Sequence, residues 1–169
     1  MATTTQPTTE REHYLASFER EYQTTQRVLR AFPPAQGKLK LSDRSHTANE
    51  IAWTLTISQM VVEPILTVPK LEPIPIPAPD DFKAILSQFE KAHVDVTAKL
   101  KQLDEKLFNS PITLPVGAGG ATGSVRRADA LWLMLNDTIH HRGQFSVYLR
   151  AAGGKVPSIY GPSGDEPWM

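Results

Sequence analysis

The segment Asp137-Thr-Ile-His-His-Arg-Gly-Gln144 places an acid and a histidine, Asp137 and His141, at i and i+4. On a helix that spacing puts both side chains on one face, one turn apart. Carboxylate oxygen and imidazole nitrogen are both ligands for zinc, nickel, iron or manganese. The same pair also makes an ordinary buried hydrogen bond. The stripe that carries them reads Ala130, Met134, Asp137, His141, Phe145 and Tyr148, otherwise apolar. Two ionisable groups on such a face need each other, a further partner, water or a metal, because burying an unpaired charge is costly. Both readings stay open, and the metal reading needs a third ligand.

Thr54 and Ser58 fall on the inner stripe of an earlier helix, but a neutral hydroxyl is a poor ligand for zinc or nickel. A back-bond to the carbonyl four residues earlier is the simpler expectation, above all for Ser58. His93 lies on the inner stripe of another helix and is chemically the better third ligand, although a lone histidine on an apolar stripe is more often a satisfied core residue. His46 precedes a helix cap and His13 falls on an outer face. His140 is rotated by about 100° from His141, so the two cannot meet one centre inside a bundle. Arg142 and Gln144 are candidates for orienting Asp137 or tying down the tail, with a surface salt bridge the plainer role for Arg142.

Other chemistries find no support. No Ser-His-Asp order and no G-x-S-x-G is present. The stretch Gly117-Ala-Gly-Gly-Ala-Thr-Gly123 lacks the G-x-x-x-x-G-K-[ST] pattern and a preceding apolar strand. Acids and bases balance at 18 each in 169 residues, so no basic field draws in nucleic acid or an anionic membrane. There are no cysteines, hence no disulfide, thiolate site or cysteine nucleophile. The amino-terminal MATTTQPTTERE has no apolar signal core, and no apolar run reaches the roughly 18 residues needed to cross a bilayer. A soluble cytoplasmic protein is expected.

Helical periodicity builds the frame. Leu15, Phe18, Tyr22, Thr25, Leu29 and Phe32 form one stripe on a helix of about 24 residues, stopped by Pro33-Pro34. Thr47-Ala-Asn-Glu50 is a capping-box signature opening a second helix with stripe Ile51, Thr54, Ser58, Val61 and Ile65, kinked or frayed at Pro64. Residues 68–81, VPKLEPIPIPAPDD, predict an extended polyproline strap, a stiff crossover rather than a domain boundary. A third helix starts near Asp80 with stripe Phe82, Ile85, Phe89, His93, Val96, Leu100, Leu103 and Leu107. After a long glycine-bearing loop, Ser124 caps a fourth helix running to about Ala152, with Gly153-Gly154 as its stop. No strand is expected, and the tail from about residue 154 to 169 is irregular. The fold class predicted is all-α: a four-helix bundle with long crossover connections, one domain over residues 1–169.

At His140-His-Arg-Gly-Gln144 the chain resembles the DinB/YfiT-like superfamily. The resemblance extends to the helix order, Glu50-Ile-Ala-Trp53, the Tyr148-Leu-Arg150 that follows the motif, and the tail VPSIYGPSGDE. It implies a four-helix bundle, often a homodimer, and in many members a three-histidine site for zinc or nickel. One histidine there comes from the second helix and two, four apart, from the fourth. Some relatives are thiol-dependent transferases or isomerases. Residue by residue, His141 matches the last of these histidines, while Asp137 and Thr54 stand at the other two positions. One histidine of three is kept, so the resemblance supports the fold more than the metal chemistry.

Two functions follow as expectations. The first is a DinB-like protein of unspecified reaction with a degenerate divalent-metal site in the bundle core, free to bind a small molecule. The second is an active metal-dependent hydrolase or thiol S-transferase using Asp137, His141 and a third ligand, with a metal-bound water as nucleophile. A third possibility makes residues 69–79 of the strap a docking segment for a partner.

Overall fold

The computed structural model describes residues 7–72, 75–116 and 121–168. Four long helices make a bundle: α1 (Glu10–Arg30), α2 (Ala48–Met60), α4 (Phe82–Leu100) and α6 (Arg127–Ala151). Short helices α3 (Val62–Thr67) and α5 (Glu105–Phe108) extend α2 and follow α4. The all-α four-helix bundle predicted from periodicity is the architecture observed. Among the described residues no helix is long and apolar enough to cross a membrane.

Local chemistry sets the helix ends. The expected capping box is present: the Thr47 side chain accepts from Glu50 N, and Glu50 Oε2 accepts from Thr47 N at 2.6 Å. A second box at Thr9 and Glu12 starts α1. Pro64 has no N–H for the Met60 carbonyl, so α2 stops at Met60 and α3 restarts the helix beyond Val61. The third predicted helix ends at Leu100 rather than Leu107, with Asp104 capping α5 through Leu107 N. Gly153 takes φ +79°, the left-handed turn that closes α6 after Ala152.

The expectation of no strand is corrected. Strands β1 (Pro111–Pro115) and β2 (Thr122–Arg126) pair antiparallel, from Pro111↔Arg126 to Pro115↔Thr122. Ser124 therefore lies in β2 opposite Thr113, and α6 begins at Arg127 without a side-chain cap. Residues 117–120 of the glycine-bearing loop lie outside the described residues. The strap is tied to this hairpin by Leu71 N to Thr113 O at 2.8 Å and Thr113 N to Pro69 O at 3.0 Å. Farther along, Trp53 Nε1 donates to Ile76 O at 2.8 Å and Asn49 Nδ2 to Asp80 O at 2.7 Å. Ile76 and Ala78 pack on the core, so the described part of the strap belongs to the bundle wall; residues 73–74 lie outside the described residues.

The core has two apolar clusters. One gathers Phe32, Trp53, Phe82, Phe89, Phe145 and Tyr148; the other gathers Tyr14, Phe18, Ile65, Leu100, Phe108 and Leu131. Helix α2 packs on both α4 and α6, and α1 packs on α6 and α4. The α2–α6 seam runs antiparallel: Tyr148 Oη donates to His46 O at 2.7 Å at one end, and the Arg127 guanidinium donates to Ile65 O at the other.

Candidate functional site

The antiparallel seam brings Thr54 and Ser58 of α2 against Asp137 and His141 of α6. Ser58 Oγ lies 2.8 Å from Asp137 Oδ2 and 3.0 Å from Thr54 O, so its single proton is shared between them. His141 Nδ1 lies 2.9 Å from Asp137 O and 3.2 Å from Asp137 Oδ2. Both acceptors call for the proton on Nδ1, which leaves the Nε2 lone pair free. Thr54 Oγ1 turns back to Glu50 O at 3.0 Å. The back-bond expected for Ser58 thus occurs at both hydroxyls, and Ser58 adds a bond to the carboxylate.

Asp137 and His141 sit at the flank of the buried face rather than its centre, with side chains 34 % and 21 % exposed. Of the predicted stripe of α6, Ala130, Phe145 and Tyr148 are buried, and Leu131, Leu135, Thr138, Arg142 and Leu149 are buried beside them. The buried face is thus broader than predicted and turned toward a charged residue, Arg142, that lies inside. Arg142 is the largest fully buried side chain among the described residues. Its Nη1 lies 2.7 Å from Glu21 Oε2, and Tyr160 Oη donates to the same carboxylate oxygen at 2.6 Å. The surface salt bridge is corrected to a buried one, and the role in holding the tail is the one observed. Glu21 was not singled out from sequence, though an acid at i+3 from Phe18 and i−4 from Thr25 was the available signal. Burial pushes the Glu21 carboxyl up, but hydrogen bonds from Tyr160 and Arg142, with the Arg142 charge, outweigh this and hold it below the usual carboxylate range.

The remaining candidates go elsewhere. His93 faces α1, where Nε2 meets Glu19 Oε2 at 3.1 Å and Thr97 Oγ1 at 3.3 Å, and its ring stacks on Tyr22 at 3.3 Å. Its Nδ1 is buried without a hydrogen bond. Burial lowers its pKa against the opposing pull of Glu19. It is a packed seam residue, not a third ligand beside Asp137 and His141. His140 is exposed and bonded to Gln144 at 2.8 Å, and its ring meets that of His141 edge-on. Gln144 is exposed too, and its amide bonds to His140 rather than to Asp137 or the tail.

Among the described residues no three of histidine, cysteine, aspartate and glutamate gather closely enough to hold a metal ion. One imidazole and one carboxylate, the latter already engaged by Ser58, do not fit a three-ligand site. What the cluster offers is one oriented imidazole lone pair beside a carboxylate with no Lys or Arg partner among the described residues. Ser58 gives its proton to that carboxylate and to a carbonyl, not to the imidazole, so the three side chains are no nucleophilic triad.

Known proteins are similar to this chain in sequence or in fold. YrdA of Bacillus subtilis (strain 168), described as an uncharacterized protein, is 29 % identical over 158 residues, covering 92 % of this chain and 90 % of the relative. A DinB-like protein from Bacillus cereus ATCC 10987 superposes with a TM-score of 0.72 at 22 % identity, over 88 % of this chain and 97 % of that one. YfiT from Bacillus subtilis, described as a probable metal-dependent hydrolase with an unusual four-helix bundle topology, gives 0.65 at 15 %, over 90 % and 93 %. The DinB family model matches residues 1–168, and the chain belongs to the DinB family.

Proposed function

We propose that this DinB protein carries a degenerate divalent-metal site and has left the three-histidine chemistry that its family resemblance implies. His141 is the imidazole donor that persists, Asp137 is its carboxylate neighbour, and Thr54 stands where a ligand would be needed. The observation that carries this reading is the 2.8 Å bond from Ser58 to Asp137 Oδ2, which occupies the carboxylate from the α2 side. The test is elemental analysis of untagged protein purified without chelator, followed by titration with zinc, nickel and manganese. The expected result is metal well below one per chain; one tightly held ion per chain overturns it. The reading is of a homodimer in the cytoplasm, and light scattering in solution tests the assembly.

A second reading is a metal-dependent hydrolase or thiol S-transferase using Asp137, His141 and a further donor. The free Nε2 of His141 favours it, since a donor held through Nδ1 by a carbonyl is how proteins commonly present a ligating histidine. The description of YfiT as a probable metal-dependent hydrolase agrees. Under this reading His141→Ala loses whatever metal the native chain binds while remaining folded; unchanged stoichiometry removes it.

A further inference from the structure

The outward face of α6 carries an unusual set of residues. Between Asp129 and Arg150 its exposed positions are Leu133, Asn136, His140, Gly143, Gln144 and Val147. None is an acid, a lysine or an arginine. By contrast, the exposed residues of α1 include Glu19, Arg20, Arg27 and Arg30, and those of α4 include Lys83, Lys91 and Asp95, the charged cover of an ordinary solvated helix face. Depletion of charge with apolar area retained is the mark of a protein–protein interface core. Leu133 and Val147 are 54 % and 57 % exposed. Beside them α2 and its cap present Thr54, Ile57 and Val61, uncharged and half-buried.

Gly143 is an independent sign. It lies in the interior of a 25-residue helix, where glycine is less stable than alanine. A Cβ built there meets no atom within 4 Å among the described residues. Its own chain therefore does not call for the missing side chain, whereas a body closing on α6 from outside does.

The face is also its own complement. Leu133, His140 and Val147 repeat at seven, so at 100° per residue they lie within about 20° of one line along the helix. A two-fold axis at right angles to α6, at the level of His140, lays a second α6 antiparallel on the first. His140 then meets His140 of the partner subunit, and Leu133 meets the partner's Val147. Asp137 and Gln144 stand on the α2 side of the line, at about 60° and 40°, so the same rotation sets the partner's Gln144 beside Asp137. On the opposite flank Asn136 meets the partner's Gly143, where the absent Cβ makes room. The Asp137 carboxylate is 34 % exposed beyond its bond from Ser58. A carboxamide has two N–H groups, one for His140 and one left for that carboxylate.

We propose that two copies of this chain meet on this face, α6 antiparallel to α6 about His140, each supplying Gln144 to the other's Asp137. From Asp129 to Arg150 α6 spans about 30 Å, and with α2 about 10 Å beside it the footprint is about 600 Å², close to the roughly 800 Å² per partner of a stable dimer. The inference rests on the homodimer reading and adds the place and register of the contact.

The test uses the full chain, with chelator throughout so that no metal bridges histidines. The native sequence has no cysteine, so introduced cysteines report proximity without background. On mild oxidation His140→Cys is expected to form a disulfide-linked dimer, whereas Val94→Cys, exposed on α4, is not. Leu133→Cys and Val147→Cys stay unlinked alone, each about 20 Å from its own copy, and link when mixed. Gln144→Glu sets like charges together and raises the dimer dissociation constant by roughly tenfold or more; adding Asp137→Asn recovers most of that. Light scattering reads the assembly itself. A monomeric native chain overturns both this proposal and the homodimer reading. A dimer in which His140→Cys stays unlinked, or which survives Leu133→Glu combined with Val147→Glu under native circular dichroism, overturns this interface and leaves the homodimer reading standing. A Gln144→Glu chain without the loss, or without its recovery, overturns the pairing with Asp137.

Discussion

Arg142 Nη1 and Glu21 Oε2 meet at 2.7 Å with both side chains within 3 % of full burial, joining α6 to α1 beneath Tyr160 of the tail. Removing one member leaves the other charge in the core, which costs about 3–5 kcal/mol. Arg142→Met should show that loss by urea denaturation, and Glu21→Gln combined with Arg142→Met should lose less than the two single changes added together. Equal and additive losses would mean the pair is not coupled.

Acid should reach the same pair. The Glu21 carboxyl sits below its ordinary value near 4.5 in the folded chain. A depressed carboxylate contributes stability that is in place above the unfolded value and disappears as pH falls through the folded one. The chain therefore loses stability on acidification below about pH 4.5, and Glu21→Gln flattens that part of the curve. Stability measured from pH 3 to pH 6 checks it.

His93 titrates in the opposite sense. Its folded pKa lies below 6.5 because burial disfavours the imidazolium more than Glu19 supports it. The unfolded chain then takes up the proton first, so stability rises with pH from the folded value up to about 6.5 and is lowest below it. His93→Gln should remove that slope, read as urea midpoints at pH 5 and pH 7.5. A slope of unchanged size in the variant would assign it to another group.

Thr54→His with Asp137→His, keeping His141, should restore the family's ligand set across the α2–α6 seam. Uptake of about one zinc or nickel per chain is expected, lost again on His141→Ala. Failure of the double variant to bind would mean that the seam geometry, not the donor set alone, has diverged.

Arg127 is a buried cation without a carboxylate among the described residues: Nε donates to Ser110 Oγ at 2.9 Å and the guanidinium to Ile65 O. Burial pulls its pKa below the usual arginine value. Arg127→Met orphans both acceptors and should cost about 1–3 kcal/mol, with faster amide exchange in β1 and β2 before the helices.

The sequence was a good guide wherever one local rule decides. The Thr47–Glu50 box, the stop at Pro33-Pro34 and the Gly153 turn are each set by a few adjacent residues, and each stands where it was read. Helix faces are less legible, because Glu21 and Arg142 carry no local sign that they point inward, while Asp137 and His141 lie only at the flank. On α1 the true stripe carries Tyr14, Glu21 and Val28 in place of Leu15 and Tyr22, and on α6 it carries Arg142 in place of Asp137 and His141. Both shifts have one cause, since neither charged residue is tolerable inside without the other, and that pairing spans 121 positions. The hairpin escaped because Pro111-Ile-Thr-Leu-Pro115 and Thr122-Gly-Ser-Val-Arg126 are short, proline-bounded and glycine-bearing. Their pairing depends on ladder bonds with each other and with the strap. At the candidate site the structure brings Asp137 and His141 together with Ser58, and Ser58's bond to Asp137 is a meeting of two helices that no spacing rule contains.

The bond from Trp53 Nε1 to Ile76 O gives the polyproline strap an optical handle. Trp53 is 6 % exposed beneath the strap, whereas Trp168 in the tail is 62 % exposed. Indole emission shifts to longer wavelength when its nitrogen trades a protein acceptor for mobile water. With Trp132 and Trp168 replaced by phenylalanine, the remaining fluorescence therefore follows release of this crossover from the helices. Red-shifted emission at a denaturant concentration where far-ultraviolet circular dichroism is still native would mark the strap as the first segment of this chain to let go.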